Sequence, residues 1–367
     1  MRKCWLSAAL VAALCLTLAA CGSSEDKSAE SSGGGSISEE PAVSAMAPVE
    51  PEPEPEPEPE FPYTNPLTGE GLEEDVSQKR PIAIMINNHK KALPQLGVAQ
   101  ADVIYEMVAE GGITRMMAVF QSVEDVGNIG SVRSARDYYV SLAYGHDAIF
   151  LHAGGSDQAY ISIKKWGVTA LDCVNGPYEG TLYWRDAERR KNAGLEHSVL
   201  TSGNTIQELL PTYKRVTMTH KDGFALDWSF GGTFEGEAAN TITVPFSNYK
   251  TGQFHYDEES GQYRVEQHGK AYVDGNTGEQ VAVKNVLVLL TEVEAVKGDN
   301  KGRQSIRTTG EGEGYLFRDG AGQAITWKRA DKSDTLSFFY KDGTAAQLGV
   351  GASYINIVDS DTAVTWS

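Results

Sequence analysis

The chain has 367 residues, of which 41% are hydrophobic and 22% are charged, and its formal net charge is −18 at pH 7. This length can bury a sizeable core and suggests more than one folded domain. The negative charge argues against nucleic acid as a partner and against a basic surface for anionic lipid headgroups, although a local cluster of arginines can still hold an anion.

The first twenty residues have the features of an export signal. Arg2 and Lys3 give a positive start, and the sixteen residues 5–20 contain no charged side chain. A transmembrane helix needs roughly 20 apolar residues, and this shorter run ends in the sequence LAACG, which matches a bacterial lipobox. We therefore expect a lipoprotein signal peptide at 1–20, cleaved before Cys21 once the thiol of that cysteine carries a diacylglycerol. Palmitate is expected on the same residue. An ordinary secretory signal or a plain anchor helix is the alternative.

Residues 21–60 have the composition of a disordered tether. They consist mainly of Ser, Gly, Glu, Pro and Ala, with a strict Pro-Glu alternation over 50–60, and they carry eleven acidic residues and one lysine. Low hydrophobicity and charge of one sign cannot compensate for the entropy of ordering, and alternating proline favours an extended chain. The sequence thus predicts a folded body anchored by lipid at the outer face of the bacterial cytoplasmic membrane, with the membrane as its first partner.

Residues 61–240 mix apolar runs of strand length with helical periodicity, which predicts an α/β layer domain. Strands are predicted at 81–86, 103–108, 114–120 and 148–151, with a hairpin through Gly111-Gly112. Ser131 is predicted to cap a helix whose apolar positions include Ala135, Tyr139 and Leu142. A second helix is predicted after His152, in the segment that begins GGSD.

Residues 241–367 are dominated by strands and turns, which predicts a mainly antiparallel β domain. Strands are expected at 286–293, 323–328, 335–340 and 353–358. The segment 274–279 superficially resembles a calcium loop, but it lacks the ligand pattern and is interpreted as a plain turn. The overall fold class is therefore α+β, with no metal site and no cofactor expected. Cys173 is the one cysteine left outside the signal and the predicted lipid site, so it is interpreted as a buried apolar residue rather than a nucleophile.

Several motifs together resemble one family. They are RPIAIMINNH at 80–89, Tyr105-Glu106 with EGGITR at 110–115, SVRSAR at 131–136, HAGGS at 152–156, and KNV and ITWK at 284–286 and 325–328. The chain resembles the YerB-like lipoproteins, whose domain is classed as one of unknown function, over nearly all of 65–358. The resemblance implies an N-terminal and a C-terminal domain on a lipid-anchored chain and no established activity. One departure is His197-Ser198, where the resemblance implies a His-Asn pair.

Arg133 and Arg136 are the strongest candidates for a ligand site. Placed in the first turn of the predicted helix, they would add positive charge to a helix end that is already partly positive, which is unfavourable unless an anion compensates. That anion is either a bound phosphate, carboxylate or sulfated group, or an internal partner such as Glu106, Glu110 or Asp137.

The ends of two predicted strands add to this hypothesis. Ligands of open α/β sheets collect beyond the carboxyl ends of strands, where this sequence places His89 and the segment that starts at His152. Glycines before a capping residue let backbone N–H groups approach an anion, although a mere turn would have the same sequence. The complete set of candidate ligand residues is His89, Glu106, Glu110, Arg115, Arg133, Arg136, His152, Gly154, Gly155, Ser156 and His197.

Two functions are compatible with these residues. The preferred hypothesis is a non-enzymatic envelope lipoprotein whose α/β domain binds an anionic cell-wall component or a partner protein. The alternative is a hydrolase or transferase acting on wall glycan or phosphodiester polymer, in which Glu106 or Glu110 would act with His152 or His197 as general acid and base. The sequence contains no zinc-peptidase, hydrolase-elbow or nucleotide-binding motif.

Overall fold

The computed structural model describes residues 61–367, so the predicted signal peptide, Cys21 and the predicted tether lie outside the described residues. Within the described range the chain forms 26 β-strands and four α-helices, which makes it mostly β with few helices. The α+β fold class therefore holds in its broad sense.

The first group of elements lies between residues 61 and 212. In chain order they are β1 (Tyr63–Thr64), β2 (Gly71–Leu72), β3 (Ile82–Asn87), β4 (Val103–Val108), β5 (Thr114–Phe120), β6 (Asn128–Gly130), α1 (Asp137–Gly145), β7 (Ile149–His152), α2 (Asp157–Trp166), β8 (Ala170–Asp172), β9 (Trp184–Arg185), α3 (Ala187–Asn192), β10 (Val199–Ser202) and α4 (Gly203–Leu209).

The second group consists of strands alone. In chain order they are β11 (Ser229–Phe230), β12 (Glu237–Ala238), β13 (Thr241–Pro245), β14 (Thr251–Asp257), β15 (Gln262–Gln267), β16 (Lys270–Ala271), β17 (Ala282–Val283), β18 (Asn285–Thr291), β19 (Val293–Ala295), β20 (Gln304–Ile306), β21 (Gly310–Arg318), β22 (Ala321–Arg329), β23 (Ser337–Tyr340), β24 (Gln347–Leu348), β25 (Ser353–Asp359) and β26 (Thr365–Trp366).

An eleven-stranded sheet forms the centre of the molecule. Its order is β12-β22-β21-β18-β25-β4-β5-β3-β7-β8, and β23 pairs with β22. The strand β25 runs parallel to both of its neighbours, β18 and β4, and so joins the strands of the second group to those of the first. The sheet is therefore continuous across residue 240, while the division into domains at that residue stays a prediction.

The two faces of this sheet are covered differently. Alternate residues of β3 belong to two apolar clusters, with Ile84 and Ile86 on one side and Ala83 and Met85 on the other. The first side packs against the smaller six-stranded sheet built around β13, β14 and β15, and the second side packs against α1 and α2. Because both faces are buried, the strands are continuous apolar runs, as the sequence indicated.

The four strands predicted in the first half are confirmed, as are the β4–β5 hairpin and the second helix. In the second half, the run predicted as one strand at 286–293 is divided between β18 and β19. The prediction of a mainly antiparallel β region holds except at β24, which pairs parallel with β11, and at β25, which pairs parallel with β18 and β4.

The prediction that Ser131 caps a helix is wrong. The helix α1 begins at Asp137 with Arg136 as its N-cap residue, and 131–135 are extended. In that stretch the N–H of Arg133 donates to the carbonyl of Met85, and other backbone groups pair with β10 and with the segment after β7. Once these partners satisfy the backbone, a helix there would lose hydrogen bonds rather than gain them.

Candidate functional site

Three neighbouring strands of the central sheet, β3, β7 and β8, run parallel, so their carboxyl ends lie at one edge. A cavity of about 670 Å³, here called the strand-end cavity, opens at that edge. This is the kind of position at which α/β sheets bind ligands. Its wall consists of Val132, Arg133, Ser134, Ala153, Gly154, Gly155, Tyr160, Val174, Asn175, Arg185, Gly194, Leu195, Glu196 and Val199.

Three of the predicted ligand residues line this cavity. They are Arg133, Gly154 and Gly155, and Gly154 has a φ of +77°, a conformation that favours glycine. Ser156 caps α2, because its hydroxyl accepts a hydrogen bond from the N–H of Ala159 at 3.1 Å. The glycines thus lead directly into the N-terminus of a ten-residue helix.

Two arginines give the cavity its positive charge, and each is held by an exposed glutamate. Nη2 of Arg133 lies 2.6 Å from Oε2 of Glu196, whose side chain is 61% exposed, and Nε of Arg185 lies 2.9 Å from Oε1 of Glu179, which is 47% exposed. The hydrogen bond and charge of Arg133 lower the pKa of Glu196. The arginine side chains of the two pairs are 24% and 16% exposed, so only the glutamate of each pair lies largely in solvent.

Asp172, at the end of β8, holds the floor of the cavity in shape. Its Oδ1 accepts hydrogen bonds from the N–H groups of Gly154 at 2.7 Å and Val174 at 2.9 Å, and its Oδ2 accepts one from the hydroxyl of Tyr160 at 2.7 Å. Burial alone would raise the pKa of Asp172, but the nearby His152 ring and these hydrogen bonds lower it below its ordinary value. Asp172 is therefore ionised, and it stabilises the conformation of the loop that contains Gly154 and Gly155.

His152 lies beneath this loop rather than in the cavity. It is 1% exposed, and its Nδ1 shares a 2.8 Å hydrogen bond with the carbonyl oxygen of Gly154. Burial lowers the pKa of the ring, against the opposing effect of Asp172.

Arg136, Arg115 and Glu110 form an internal network. Arg136 pairs with Oε1 of Glu110, and Nη2 of Arg115 lies 2.9 Å from Oε2 of the same carboxylate. The two arginines also donate to the backbone carbonyls of Ala135 and Ser134, each at 2.6 Å. Burial would raise the pKa of Glu110, but the two arginines lower it. The prediction that Arg133 and Arg136 share a helical turn is wrong, because 131–135 are extended, and Glu110 supplies the internal partner of Arg136.

Glu106 lies at a separate place, in the interior between the two sheets. It is 1% exposed, and its Oε1 is 3.4 Å from Nζ of Lys250, whose side chain is fully buried. Burial lowers the pKa of Lys250, and Glu106 opposes this effect. The remaining hydrogen bonds to the Glu106 carboxylate come from Asn88, Thr114, Gln267 and Tyr354.

Sequence reasoning missed Lys250. This lysine precedes β14 in the turn of the β13–β14 hairpin, where a lysine is usually a solvated side chain. The acidic residue that could have indicated its partner lies in β4, more than a hundred positions earlier, and no local pattern connects the two.

His89 and His197 lie next to each other, outside the strand-end cavity. Their rings stack with centroids 5.1 Å apart, and Nδ1 of His197 is 2.8 Å from Nδ2 of Asn87. Burial is the main cause that lowers the pKa of both rings. Ser198, at the position where a His-Asn pair was expected, donates a 2.8 Å hydrogen bond to the carbonyl of Leu195.

The structure thus distributes nine of the eleven predicted residues over four places, while His152 lies beneath the glycine loop and Ser156 caps α2. Arg133 and the glycines line the cavity, the Glu110 network lies beside it, Glu106 is in the interior, and the two histidines form a stacked pair. Whether any of them binds a ligand stays a prediction.

No group of three His, Cys, Asp or Glu side chains in residues 61–367 is placed to hold a metal ion. Cys173 is buried, and burial together with Glu179 raises the pKa of its thiol to about 12. A thiol with so high a pKa is a poor nucleophile.

Comparison with known proteins gives consistent matches. The sequence profile described as "Protein of unknown function (DUF3048) N-terminal domain" matches residues 67–215, and that of the corresponding C-terminal domain matches 242–355. A protein of Bacillus subtilis (strain 168) named "Putative lipoprotein YerB" is 33% identical over 308 residues, which cover 81% of this chain and 87% of the relative.

A solved structure matches as well. The crystal structure of the YerB protein from Bacillus subtilis superposes with a TM-score of 0.72 at 30% identity, covering 83% of this chain and 99% of that one. None of the helices within 61–367 has both the length and the apolar character needed to cross a membrane.

Proposed function

Because this chain belongs to the family defined by the DUF3048 N- and C-terminal domains, and its relative bears the name of a lipoprotein, we propose that it is a lipid-anchored binding protein of the cell envelope. The proposal has two parts, the anchor and the ligand.

The proposed anchor is a diacylglycerol on Cys21, later joined by palmitate, at the outer face of the cytoplasmic membrane. The sequence LAACG after an apolar, charge-free run supports it. We expect mass spectrometry of the full chain, recovered from bacterial membranes, to find an N-terminal peptide that begins at Cys21 and carries the lipid. In Cys21→Ser the lipid mass and the cleavage are expected to disappear. An unmodified Cys21 behind an intact residue 1–20 segment would contradict the anchor.

The proposed ligand is an anionic component of the cell wall, bound in the strand-end cavity. The observation that carries this proposal is the pair of guanidinium groups, Arg133 and Arg185, whose only carboxylate partners among the described residues are exposed glutamates. Nη1 of each arginine also donates to a backbone carbonyl, that of Glu196 or Leu195, at 3.0 Å. A phosphate or carboxylate can replace the glutamate at the remaining donors, and such charge-assisted hydrogen bonds are the strong ones. The N-terminus of α2 contributes further positive potential nearby.

We expect Arg133→Gln and Arg185→Gln each to weaken anion binding by about tenfold or more, because a hydrogen bond to a charged group is worth roughly 1.5–3 kcal/mol. The measurement is isothermal titration of the full chain in detergent micelles with inorganic phosphate, a glycerol phosphate oligomer and a muropeptide. Arg264→Gln is the matched control, because Arg264 also pairs with a carboxylate, Asp257, but does not line the cavity. If none of the three compounds binds, the anion proposal fails and a partner protein becomes the better hypothesis.

The alternative of a hydrolase or transferase has less support from the geometry. A general acid or base must reach the substrate, whereas Glu106 and His152 are each 1% exposed and Glu110 is paired with two arginines. Product analysis after incubation with the same glycerol phosphate oligomer and muropeptide tests the alternative. Turnover that is lost in Glu110→Gln or His152→Gln would favour it over the binding proposal.

A further inference from the structure

A second cavity of about 550 Å³ lies between the segment that follows β3 and the β15–β16 hairpin. No motif in the sequence indicated this cavity. Its wall includes Lys90, Lys270 and His268, together with the apolar side chains of Leu93 and Val273, which are 37% and 36% exposed. We call it the lysine cavity.

The charge of the lysine cavity is unusual for this molecule. The chain carries 50 acidic residues against 32 basic ones, yet no acidic side chain lines this cavity. Two ammonium groups without a carboxylate among the lining residues create a local positive potential, which favours an anion.

His268 adds a polar group that has no partner. Its Nε2 is buried and makes no hydrogen bond within the described part of the chain, and its backbone φ is +55°. Burial, together with the charges of Lys250 and Lys90, lowers the pKa of the ring, so His268 is neutral at pH 7. A neutral imidazole nitrogen can donate a hydrogen bond to a hydroxyl group or accept one from it, so Nε2 can pair with a ligand hydroxyl if the ring turns toward the cavity.

A row of rings connects the two cavities. His197, directly after Glu196 in the wall of the strand-end cavity, stacks on His89, and the ring centroids of His89 and Tyr249 are 6.5 Å apart. Tyr249 then meets His268 edge to face at 5.9 Å, and Nζ of Lys90 lies 5.4 Å from the centre of the Tyr249 ring. Tyr249 is 37% exposed although it is a large aromatic residue.

We propose that the two cavities and the ring row form one extended binding surface for a linear anionic polymer of sugar or polyol units. The cations at both ends, Arg133 and Lys90, would hold successive anionic groups of the chain. The exposed part of the Tyr249 ring between them would pack against its carbon-rich units, because an aromatic ring offers apolar surface and polarised edges to such a chain. This inference rests on the proposed function and specifies the ligand as a polymer.

A polymer that reaches both cavities binds with higher affinity than one that reaches a single cavity, because its second contact is intramolecular. We therefore expect the affinity of the full chain to rise by about tenfold or more between a ligand of one repeat and one of several repeats. The probes are length series of glycerol phosphate oligomers and of uronic acid oligosaccharides, titrated in detergent micelles. If the affinity rises with length for the glycerol phosphate oligomers, the ligand is a phosphate-bearing polymer. If it rises for the uronic acid oligosaccharides, the ligand is a carboxylate-bearing polymer.

Variants at the lysine cavity separate this inference from the proposed function. Lys90→Ala/Lys270→Ala and Tyr249→Ala are expected to remove the gain with length while leaving the affinity of a single repeat for the strand-end cavity unchanged, whereas Arg133→Gln weakens ligands of every length. The charge-matched control is Lys214→Ala/Lys341→Ala, at two exposed lysines that line neither cavity. Circular dichroism of each variant checks that it is folded.

Each outcome has a defined meaning. If a single repeat binds through Arg133 but longer ligands bind no better, the extended surface is wrong and the proposed function stands. An unchanged gain in both Tyr249→Ala and the double lysine variant also overturns the extended surface. If no anion of any length binds, both proposals fail together.

Discussion

Replacing Lys250 with methionine is expected to lower the free energy of unfolding by about 3–5 kcal/mol, because it leaves the Glu106 carboxylate buried without a counter-charge. Methionine has nearly the length of lysine. The decrease in unfolding free energy is therefore caused mainly by the missing charge and only to a small extent by a change in side-chain volume. Urea unfolding of the full chain in detergent, followed by tryptophan fluorescence, measures the change.

The double variant Glu106→Gln/Lys250→Met should recover most of this loss, since a neutral pair no longer carries an unpaired charge. Lys284→Met is the matched control, because Lys284 pairs with Asp319 at 2.6 Å but both side chains remain partly exposed. Its effect should stay below about 1 kcal/mol. If Lys250→Met and Lys284→Met lower the unfolding free energy by equal amounts, the buried Glu106–Lys250 pair has no special role in stability.

Mild acidification is expected to destabilise the folded chain through His146. This ring is buried, shares a 2.7 Å hydrogen bond with the Tyr105 hydroxyl and has an Nδ1 without a partner in the described residues. Burial, with the charges of Arg329 and His220, lowers its pKa to about 3 from the ordinary histidine value of 6.5. The unfolded chain therefore takes up a proton as the pH falls below about 6.5, while the folded ring does not until about pH 3.

The stability contributed by the neutral ring is therefore complete above pH 6.5 and is lost as the pH falls. Between pH 7 and pH 5 this residue should cost the wild type about 2 kcal/mol of unfolding free energy. In His146→Gln, which keeps a polar group for Tyr105, that part of the pH dependence should disappear. Urea unfolding at both pH values measures the difference.

Two features of this comparison make it specific. Asp102, whose pKa is raised by burial to about 6, has the opposite pH dependence, but it is present in both proteins and cancels in the difference. The other six histidines are likewise common to the wild type and His146→Gln, so their contributions also cancel in the difference. The same pH dependence in the wild type and His146→Gln would mean that the buried ring is protonated in the folded state.

The wrong prediction at Ser131 shows that a short sequence pattern does not by itself decide where a helix begins. A serine followed by apolar residues at helical spacing predicts a capped helix, yet the buried Ser131 hydroxyl has no hydrogen-bond partner within 61–367 and the helix begins at Asp137. The backbone of 131–135 instead pairs with Met85, Val199 and Gly154, which lie 19 to 67 positions away. Helical propensity amounts to fractions of a kcal/mol per residue, so such partners override it.

By contrast, Ser156 was predicted correctly as a helix start, because its capping hydrogen bond joins it to a residue only three positions later. The same holds for the β4–β5 hairpin, which closes over the few residues 109–113.

The sequence by itself determined the features that depend on neighbouring residues: the export and lipidation signal expected at Cys21, the buried strands such as β3, and the glycine loop that enters α2. Only the tertiary structure decided which distant groups meet. It placed β25 beside β4, brought the hydroxyl of Tyr354 to the carboxylate of Glu106 across 248 positions, and aligned His89, Tyr249 and His268 between two cavities. The physical reason is that alternation, capping and turn signals act within a few residues, whereas the pairing of buried charges and rings is set by the packing of two sheets.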